Sequence, residues 1–514
     1  MNTYQQIVLL LAALSLPVHG ADSFDGKTLT VPKVFVGGTL YSDVQLTVGK
    51  VLSVEGGDAR NIYDRYNTAN NQLIIPSVAV GGNSYTNVTI EVGSVVSVGG
   101  ISTTLSANFK NTTSLLSVDS ALGVAHSTGL IPFDTNGDGV TDLIFTPSTL
   151  NIGPDRKAFL VSNAGNNFNL QPDGVWSKVI TTGFVKDWTI KDLNSDGVSD
   201  LIWIDHGLEL PANQGGFQNG LNVALLSQTK GQYSYRTLSD LKAFNHGLTV
   251  PNSSAINNSS SLIVADFQAR LKQYTIDSKG NFLQSDLSLG NEFGYSNPGA
   301  VATVRMKSNS TSVVAASYTR PNPQWDPNGS IIVYSYDGKT VSKMDKFDFP
   351  MSWKANNLGA FAIIAADFRG CGCDDFLVLG ETVDLNNYKR DVLYYQQVDG
   401  KFVEMTDKYL ADVRSLINQP DKLTPIDVNQ DGFIDLVGFS YKVGSYVNGA
   451  GVFLNDGTGK FISQKFGPTS LANVTNVPIF ATNPDGSWKS LIGIYGVSTP
   501  NTTTISLSSW YANQ

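Results

Sequence analysis

Asp134-Thr-Asn-Gly-Asp-Gly-Val-Thr-Asp-Leu-Ile-Phe145 decides the fold, because the chain writes it three times. Asp192-Leu-Asn-Ser-Asp-Gly-Val-Ser-Asp-Leu-Ile-Trp203 and Asp427-Val-Asn-Gln-Asp-Gly-Phe-Ile-Asp-Leu-Val-Gly438 keep the same offsets. In each, side-chain oxygens fall at the first, third, fifth and ninth positions. A glycine at the sixth allows a sharp bend, and an apolar strand follows. A second strand and a Gly turn come next, as in Asn163-Ala-Gly-Asn-Asn-Phe168 and Asn455-Asp-Gly-Thr-Gly-Lys-Phe461.

The order acidic loop, strand, strand, Gly turn, strand recurs where the acids are missing. Ser253 leads to Ser261-Leu-Ile-Val264, Val304 to Ser312-Val-Val-Ala-Ala-Ser-Tyr318, Asp367 to Asp375-Phe-Leu-Val378, and Thr482 to Ile492. Repeat starts near 134, 192, 253, 304, 367, 427 and 482 give steps of about 50 to 63 residues, the length of propeller blades. Seven β units with no helical period between them predict an all-β fold, a seven-bladed β-propeller over 106–514. The last copy ends after one strand beyond Ile492, so residues 108–120, with Leu115, Leu116 and Val118, are expected to complete its blade. A β-solenoid is the competing architecture, but it needs polar caps, and the sequence offers none.

A second repeat precedes the first. Leu29-Thr-Val-Pro-Lys-Val-Phe-Val-Gly-Gly38 and Leu73-Ile-Ile-Pro-Ser-Val-Ala-Val-Gly-Gly82 match at an offset of 44. The match continues through Val48-Gly49 and Val92-Gly93. Residues 21–105 therefore read as a small duplicated β module, two copies of a four-strand unit for attachment or stacking. Residues 1–20 carry an apolar run from Ile7 to Leu16, then Pro17 and small residues. That run fits a secretory signal cleaved after Gly20 and is too short for a membrane-crossing helix, which takes about 20 residues. No later segment is apolar enough to cross either, so the mature chain is expected to be secreted or held at the cell surface by a partner.

The 514 residues hold 35 Lys+Arg against 44 Asp+Glu, a formal charge of −9, with no basic cluster. That balance argues against a nucleic-acid partner. With 41% apolar residues, wholesale disorder is also excluded. Two cysteines, Cys371 and Cys373, do not make a disulfide framework.

Oxygen side chains at alternating positions of a tight turn suit a hard cation such as Ca²⁺, which takes six to eight oxygens. No bidentate Glu stands at position twelve, so these are not EF-hands, and the ninth-position Asp must complete the shell. The expected ligands are Asp134, Asn136, Asp138, the Val140 carbonyl and Asp142 in the first loop. In the second they are Asp192, Asn194, Asp196, the Val198 carbonyl and Asp200. In the third they are Asp427, Asn429, Asp431, the Phe433 carbonyl and Asp435. Asp/Asn/Gly loops are ordinary turns when they stand alone; three at identical offsets are not. Carboxylates gathered this closely repel unless a cation lies among them. Three Ca²⁺ ions would take the formal charge from −9 to −3.

These loops and the Asn455–Phe461 turn resemble the FG-GAP/VCBS repeat family, which includes the propeller head of integrin α subunits. Over roughly 106–514 the resemblance implies a seven-bladed propeller, Ca²⁺ held structurally in blade-edge hairpins, and extracellular adhesion or ligand binding. The Ser253, Val304 and Thr482 loops have lost most carboxylates and are expected to be metal-free. The Asp367 copy has Arg369 and Cys371 at ligand positions three and five. A guanidinium is expected in the cation's place, paired with Asp367 and Asp375. Cys371-Gly-Cys373 either closes a small disulfide, a staple in place of the metal, or holds two buried thiols.

Nothing in the sequence assembles a catalytic constellation. His126, His206 and His246 lie in similar repeated loops, which reads as turn chemistry, and no GxSxG, HExxH or phosphate-cradling motif occurs. Seven Trp are spread over the repeats, available either to stack on a sugar or to pack between blades. The expected function is non-catalytic adhesion or binding of an extracellular glycan or protein. The alternatives are a propeller enzyme acting on extracellular polysaccharide, or an architectural surface-layer component.

Overall fold

The computed structural model describes residues 23–24, 28–36, 39–54, 64–67, 70–80, 83–101, 109–119, 129–136, 142–146, 156–157, 159–164, 167–171, 180–181, 185–193, 198–205, 208–209, 217–218, 223–229, 232–237, 245–251, 261–266, 270–276, 281–287, 297–318, 329–382, 389–417, 422–428, 433–439, 451–465, 474–482, 488–498 and 502–512. The expected signal segment 1–20 lies outside them, as do Asp138, Val140, Asn194, Asp196, Asn429, Asp431, His126 and His206.

The duplicated segment forms one sheet that closes on itself. Thr28–Val36 pairs with both Thr39–Val54 and Asp64–Asn67. The circuit then runs through Gln72–Val80 and Asn83–Ser97 back to Thr39–Val54. Alternate residues point inward, and Leu29, Val31, Leu46, Leu73, Ile75, Ile90 and Val92 are buried there. The two copies meet through equivalent strands. Val48 pairs with Val92, its counterpart 44 residues on, and the pairs Lys50–Glu91 and Val51–Ile90 are mirrored by Thr47–Ser94 and Leu46–Val95. Duplication has thus become a local two-fold axis.

Each copy contributes one long hairpin, and the short strands Ser23–Phe24, Asp64–Asn67 and Gly100–Ile101 join the same seven-stranded sheet, in place of two separate four-strand units. Gly49 and Gly93 lie inside 16- and 15-residue strands that shift register beside them. A Cβ at Gly49 would stand 3.0 Å from the Glu91 carbonyl oxygen, and one at Gly93 3.2 Å from that of Thr47. These glycines permit a close strand approach at a bulge.

The rest of the chain is a succession of four-stranded antiparallel sheets, seven among the described residues. Six run in chain order over 129–171, 185–237, 245–287, 297–348, 358–404 and 422–465. The seventh joins Val474–Thr482, Trp488–Ser498 and Thr502–Ala512 to Phe109–Asp119. That last pairing extends from Thr502–Asp119 to Ala512–Phe109, so the strand before the first sheet completes the last. The first strands of the first six sheets touch in sequence. Val474–Thr482 touches both the sixth sheet and Gly129–Phe133 of the first. This arrangement is a β-propeller.

Stacking explains the apolar strands. Second strands are covered on both faces, so they read as continuous apolar runs rather than alternating ones. In Thr311–Tyr318, Val313 and Ala315 pack with Ile263 and Leu271 of the third sheet, while Val314 and Ala316 pack with Phe376 and Val378 of the fifth. Outer strands such as Val341–Asp348 are largely exposed and polar. Trp203 and Trp353 are fully buried and Trp188 is half-buried. Trp353, on the short helix Met351–Ala355, donates Nε1–H to Asp391 at 2.9 Å, and Arg414 grips the same carboxylate at 2.7 and 2.8 Å. A Cβ at Gly380 would stand 2.5 Å from the Trp353 ring, so only glycine leaves room for the indole.

Side chains also clamp neighbouring sheets. Asn455 opens the Gly turn of the sixth sheet. Its Nδ2 donates to the Phe368 carbonyl of the fifth sheet at 2.6 Å, and its Oδ1 accepts from Gly457 and Gly459 N–H at 3.0 and 3.2 Å. Gln397, at the corresponding place in the fifth sheet, reaches the fourth. It donates to the Arg305 carbonyl at 3.2 Å and accepts from Lys307 N–H at 2.6 Å. Gln273 of the third sheet donates to the Tyr336 hydroxyl and the Gly338 carbonyl, both at 2.8 Å.

Candidate metal sites

Every acidic loop joins the first strand of a sheet to its second, and four of them close in the same register. Phe133 faces Asp142, Lys191 faces Asp200, Ala366 faces Asp375, and Ile426 faces Asp435. The ladder thus ends just before the first Asp of the motif and restarts at the ninth. The fourth sheet, whose loop has no carboxylates, differs. Its ladder continues to Val304–Ser312 and Arg305–Thr311, and a tight turn over 306–310 closes it. With no acids to hold apart, the strands pair further into the loop.

The ninth-position carboxylates Asp142, Asp200, Asp375 and Asp435 are all 0% exposed. In the first, second and sixth sheets one oxygen accepts the backbone N–H of motif position two. Thr135 donates to Asp142 at 3.0 Å, Leu193 to Asp200 at 2.7 Å, and Val428 to Asp435 at 2.9 Å. The Thr135 hydroxyl donates to Asp142 as well. The other oxygen of Asp435 accepts from Asn455 N–H at 2.8 Å. Of the remaining expected ligands that are described, Asp427 is buried, Asp134, Asp192 and Val198 are half-buried, and Asn136 is exposed. The Phe433 ring is buried, packed where a Cβ on Gly457 would fall. Among the described residues no group of three metal-ligating side chains is assembled, since the central acids of each loop lie outside them.

The fifth loop supplies its own cation. Arg369 Nε and Nη2 donate to the two Asp375 oxygens at 2.7 Å each, and Nη2 also donates to the Gln397 carbonyl at 2.6 Å. Gln397 N–H donates to Asp375 at 2.8 Å, the counterpart of the Asn455–Asp435 bond. The guanidinium therefore sits on the oxygen that elsewhere takes the position-two N–H. Burial opposes charge on Arg369, but the hydrogen bonds and charge of Asp375 outweigh it and raise its pKa above the ordinary value.

Asp367 departs from the expected pairing. Its oxygens accept the Cys371 and Gly372 N–H at 2.8 Å each, and its ion-pair partner is Arg305 of the fourth sheet at 3.5 Å. Arg305 also donates backbone N–H and Nη2 to Asp374 at 2.7 and 3.3 Å. Burial raises the Asp374 pKa, and Arg305 offsets that only in part. Cys371 and Cys373 are joined by a disulfide. Arg305 and Gln397 were not foreseen. The only signal was an arginine beside Val304, in a loop that had lost its acids.

A cavity of about 460 Å³ lies between the first strands of the second to sixth sheets. Its two carboxylates are already engaged: Asp187 accepts from Trp188 and Leu248 N–H at 2.9 and 3.2 Å, and Asp374 accepts from Arg305. His246 lies in the strand Asn245–Thr249.

No family model matches the chain, and no curated protein matches it. Among solved structures it is similar to BP39L lectin from Burkholderia pseudomallei, with 15% identity, a TM-score of 0.41, and coverage of 73% of this chain and 98% of that one. It is also similar to BBS1N in complex with ARL6DN, at 11% identity and TM-score 0.39, covering 78% of this chain and 97% of that one. The Dos1 propeller gives 10% identity and TM-score 0.38, covering 76% of this chain and 97% of that one. None of these likenesses bears on function.

Proposed function

We propose that the chain is a calcium-stabilised, seven-bladed propeller of the FG-GAP/VCBS kind, exported from the cell, which binds a glycan or protein ligand without catalysis. The observation that carries the reading is the guanidinium of Arg369 on Asp375. A fully buried carboxylate at the ninth position calls for a cation, and the fifth loop answers with a residue of its own. The first, second and sixth loops contain no Lys or Arg between their first and ninth positions and carry further oxygen ligands instead. An all-oxygen set of Asp, Asn and one carbonyl fits Ca²⁺ rather than a softer metal. Asp134, Asn136, Asp138, the Val140 carbonyl and Asp142 would hold the first ion, with the corresponding residues holding the other two. The ion's part is structural: it neutralises the acids and fixes the hairpin that starts each sheet.

The test is the melting temperature in calcium and in chelator. An ion bound only by the folded state stabilises by about 4 kcal/mol when its concentration is a thousand times its Kd, so chelation is expected to lower the melt by several degrees. The triple variant Asp138→Ala, Asp196→Ala, Asp431→Ala should lose most of that response. A melt that does not move with chelator rejects the calcium reading. A glycan array run under the same two conditions addresses the ligand: binding only in calcium supports a lectin-like adhesin, and no binding in either moves the assignment to a protein partner.

A further inference from the structure

The disulfide of the fifth loop stands where a staple is least needed. The ring closes only three residues, so it removes little disorder from the unfolded chain. The loop is already fixed by the Asp367 bonds to Cys371 and Gly372 N–H, by the two-pronged Arg369–Asp375 pair, and by Arg305 on Asp374. Gly370 and Gly372 take φ of +61° and +73°, values that side chains disfavour, so the backbone can bend there without strain. The two sulfurs are also unlike. Cys371 is exposed, whereas Cys373 is 2% exposed. The Cys373 N–H and carbonyl oxygen lie 3.2 and 3.1 Å from Cys371 Sγ, so exposure rather than stabilisation of a thiolate distinguishes the two residues.

We infer that Cys371–Cys373 is an exchange-active thiol–disulfide couple, with Cys371 the sulfur that meets small thiols from solution and Cys373 the buried resolving sulfur. An external thiolate approaches in line with the S–S bond, and of the two residues Cys371 is the exposed one. The new bond joins the external sulfur to Cys371. The old S–S bond breaks, and its electron pair leaves on Cys373, which takes a proton from water. A second thiolate attacks the external sulfur of the mixed disulfide, releasing the small-molecule disulfide and the Cys371 thiolate, which takes a proton from water. Two thiols are oxidised and the protein gains two electrons. In reverse, the Cys371 thiolate attacks a small disulfide, and Cys373 closes the ring and expels the thiol. The Arg369–Asp375 pair takes no part, so the sheet persists in both states.

The test incubates the native full chain with reduced glutathione, quenches with an alkylating agent, and maps the cysteine peptides by mass. The expected result is reduction of the folded protein with an unchanged far-ultraviolet spectrum, through an intermediate carrying glutathione on Cys371. With oxidised glutathione, Cys373→Ser should hold roughly tenfold more glutathione than Cys371→Ser, since exchange follows access to the sulfur. Reduction only after unfolding overturns the inference, and so does equal labelling of the two variants. Should a variant fail to fold, the wild-type intermediate decides alone: glutathione on Cys373 would also reject it.

Discussion

The fifth and sixth sheets answer one electrostatic problem in two ways. Each buries a ninth-position carboxylate, Asp375 or Asp435, at the mouth of a hairpin in the same register, and each feeds it a backbone N–H from the third strand. They part at the remaining oxygen, which takes Arg369 Nε in the fifth sheet and the Val428 N–H in the sixth. The sixth loop then brings further acids and no base, the fifth a base and a disulfide. The hairpin register is therefore the same whether a guanidinium or a backbone N–H meets that oxygen. What changes is the control: the fifth loop answers to its own side chain, and under the proposed function the sixth would answer to metal in solution.

The sharpest way to break that comparison is to remove the internal cation. Arg369→Met leaves Asp375 buried without its guanidinium, which should cost about 3–5 kcal/mol, the usual loss when one partner of a buried pair is deleted. Urea denaturation should return the same cost in calcium and in chelator. A cost that calcium rescues would mean that the fifth loop still takes a metal, and the contrast would collapse.

The clamps should behave alike in both sheets, whatever the cation. Asn455→Ala strands the Phe368 carbonyl and the Gly457 and Gly459 N–H groups, and Gln397→Ala strands the Lys307 N–H while leaving the Arg305 carbonyl only the Asp374 N–H at 2.9 Å. Leaving such groups unsatisfied costs about 1–3 kcal/mol, so the two variants are expected to fall within that range of each other. If only Asn455→Ala proves severe, the Gly turn rather than the clamp is what holds the sixth sheet.

The parts of this design legible in the sequence were those that repeat. The offsets of Asp134, Asp192 and Asp427 located the hairpins, and the short last copy pointed to 108–120 as the missing strand, found at Phe109–Asp119. Arg369 in a ligand position announced the internal cation. The closed sheet of the duplicated segment was not legible, because Gly49 and Gly93 act through a close approach to the other copy's long strand, to Glu91 and Thr47, which no local pattern encodes. Arg305 and Gln397 were invisible for a related reason. They act across sheets, on partners 69 and 92 residues distant, and stacking order has no signature in periodicity.

The smallest expected effect concerns Asp374, which sits beside Asp375 and answers to Arg305 instead of Arg369. Burial lifts its pKa above the ordinary 3.8, and Arg305 only partly opposes the shift. The folded chain thus holds this proton more tightly than the unfolded chain does. Stability from this group is greatest below the unfolded value and declines as pH rises through the raised folded one. Asp374→Asn, which keeps an acceptor for the Arg305 N–H and has no proton to lose, should lie within about 1 kcal/mol of wild type at neutral pH, because a partly exposed pair contributes little. As pH falls through the window between the raised value and 3.8, wild type should gain on the variant. If wild type loses ground there instead, Arg305 dominates Asp374 as Arg369 dominates Asp375, and the two adjacent carboxylates form one charged network rather than two independent pairs.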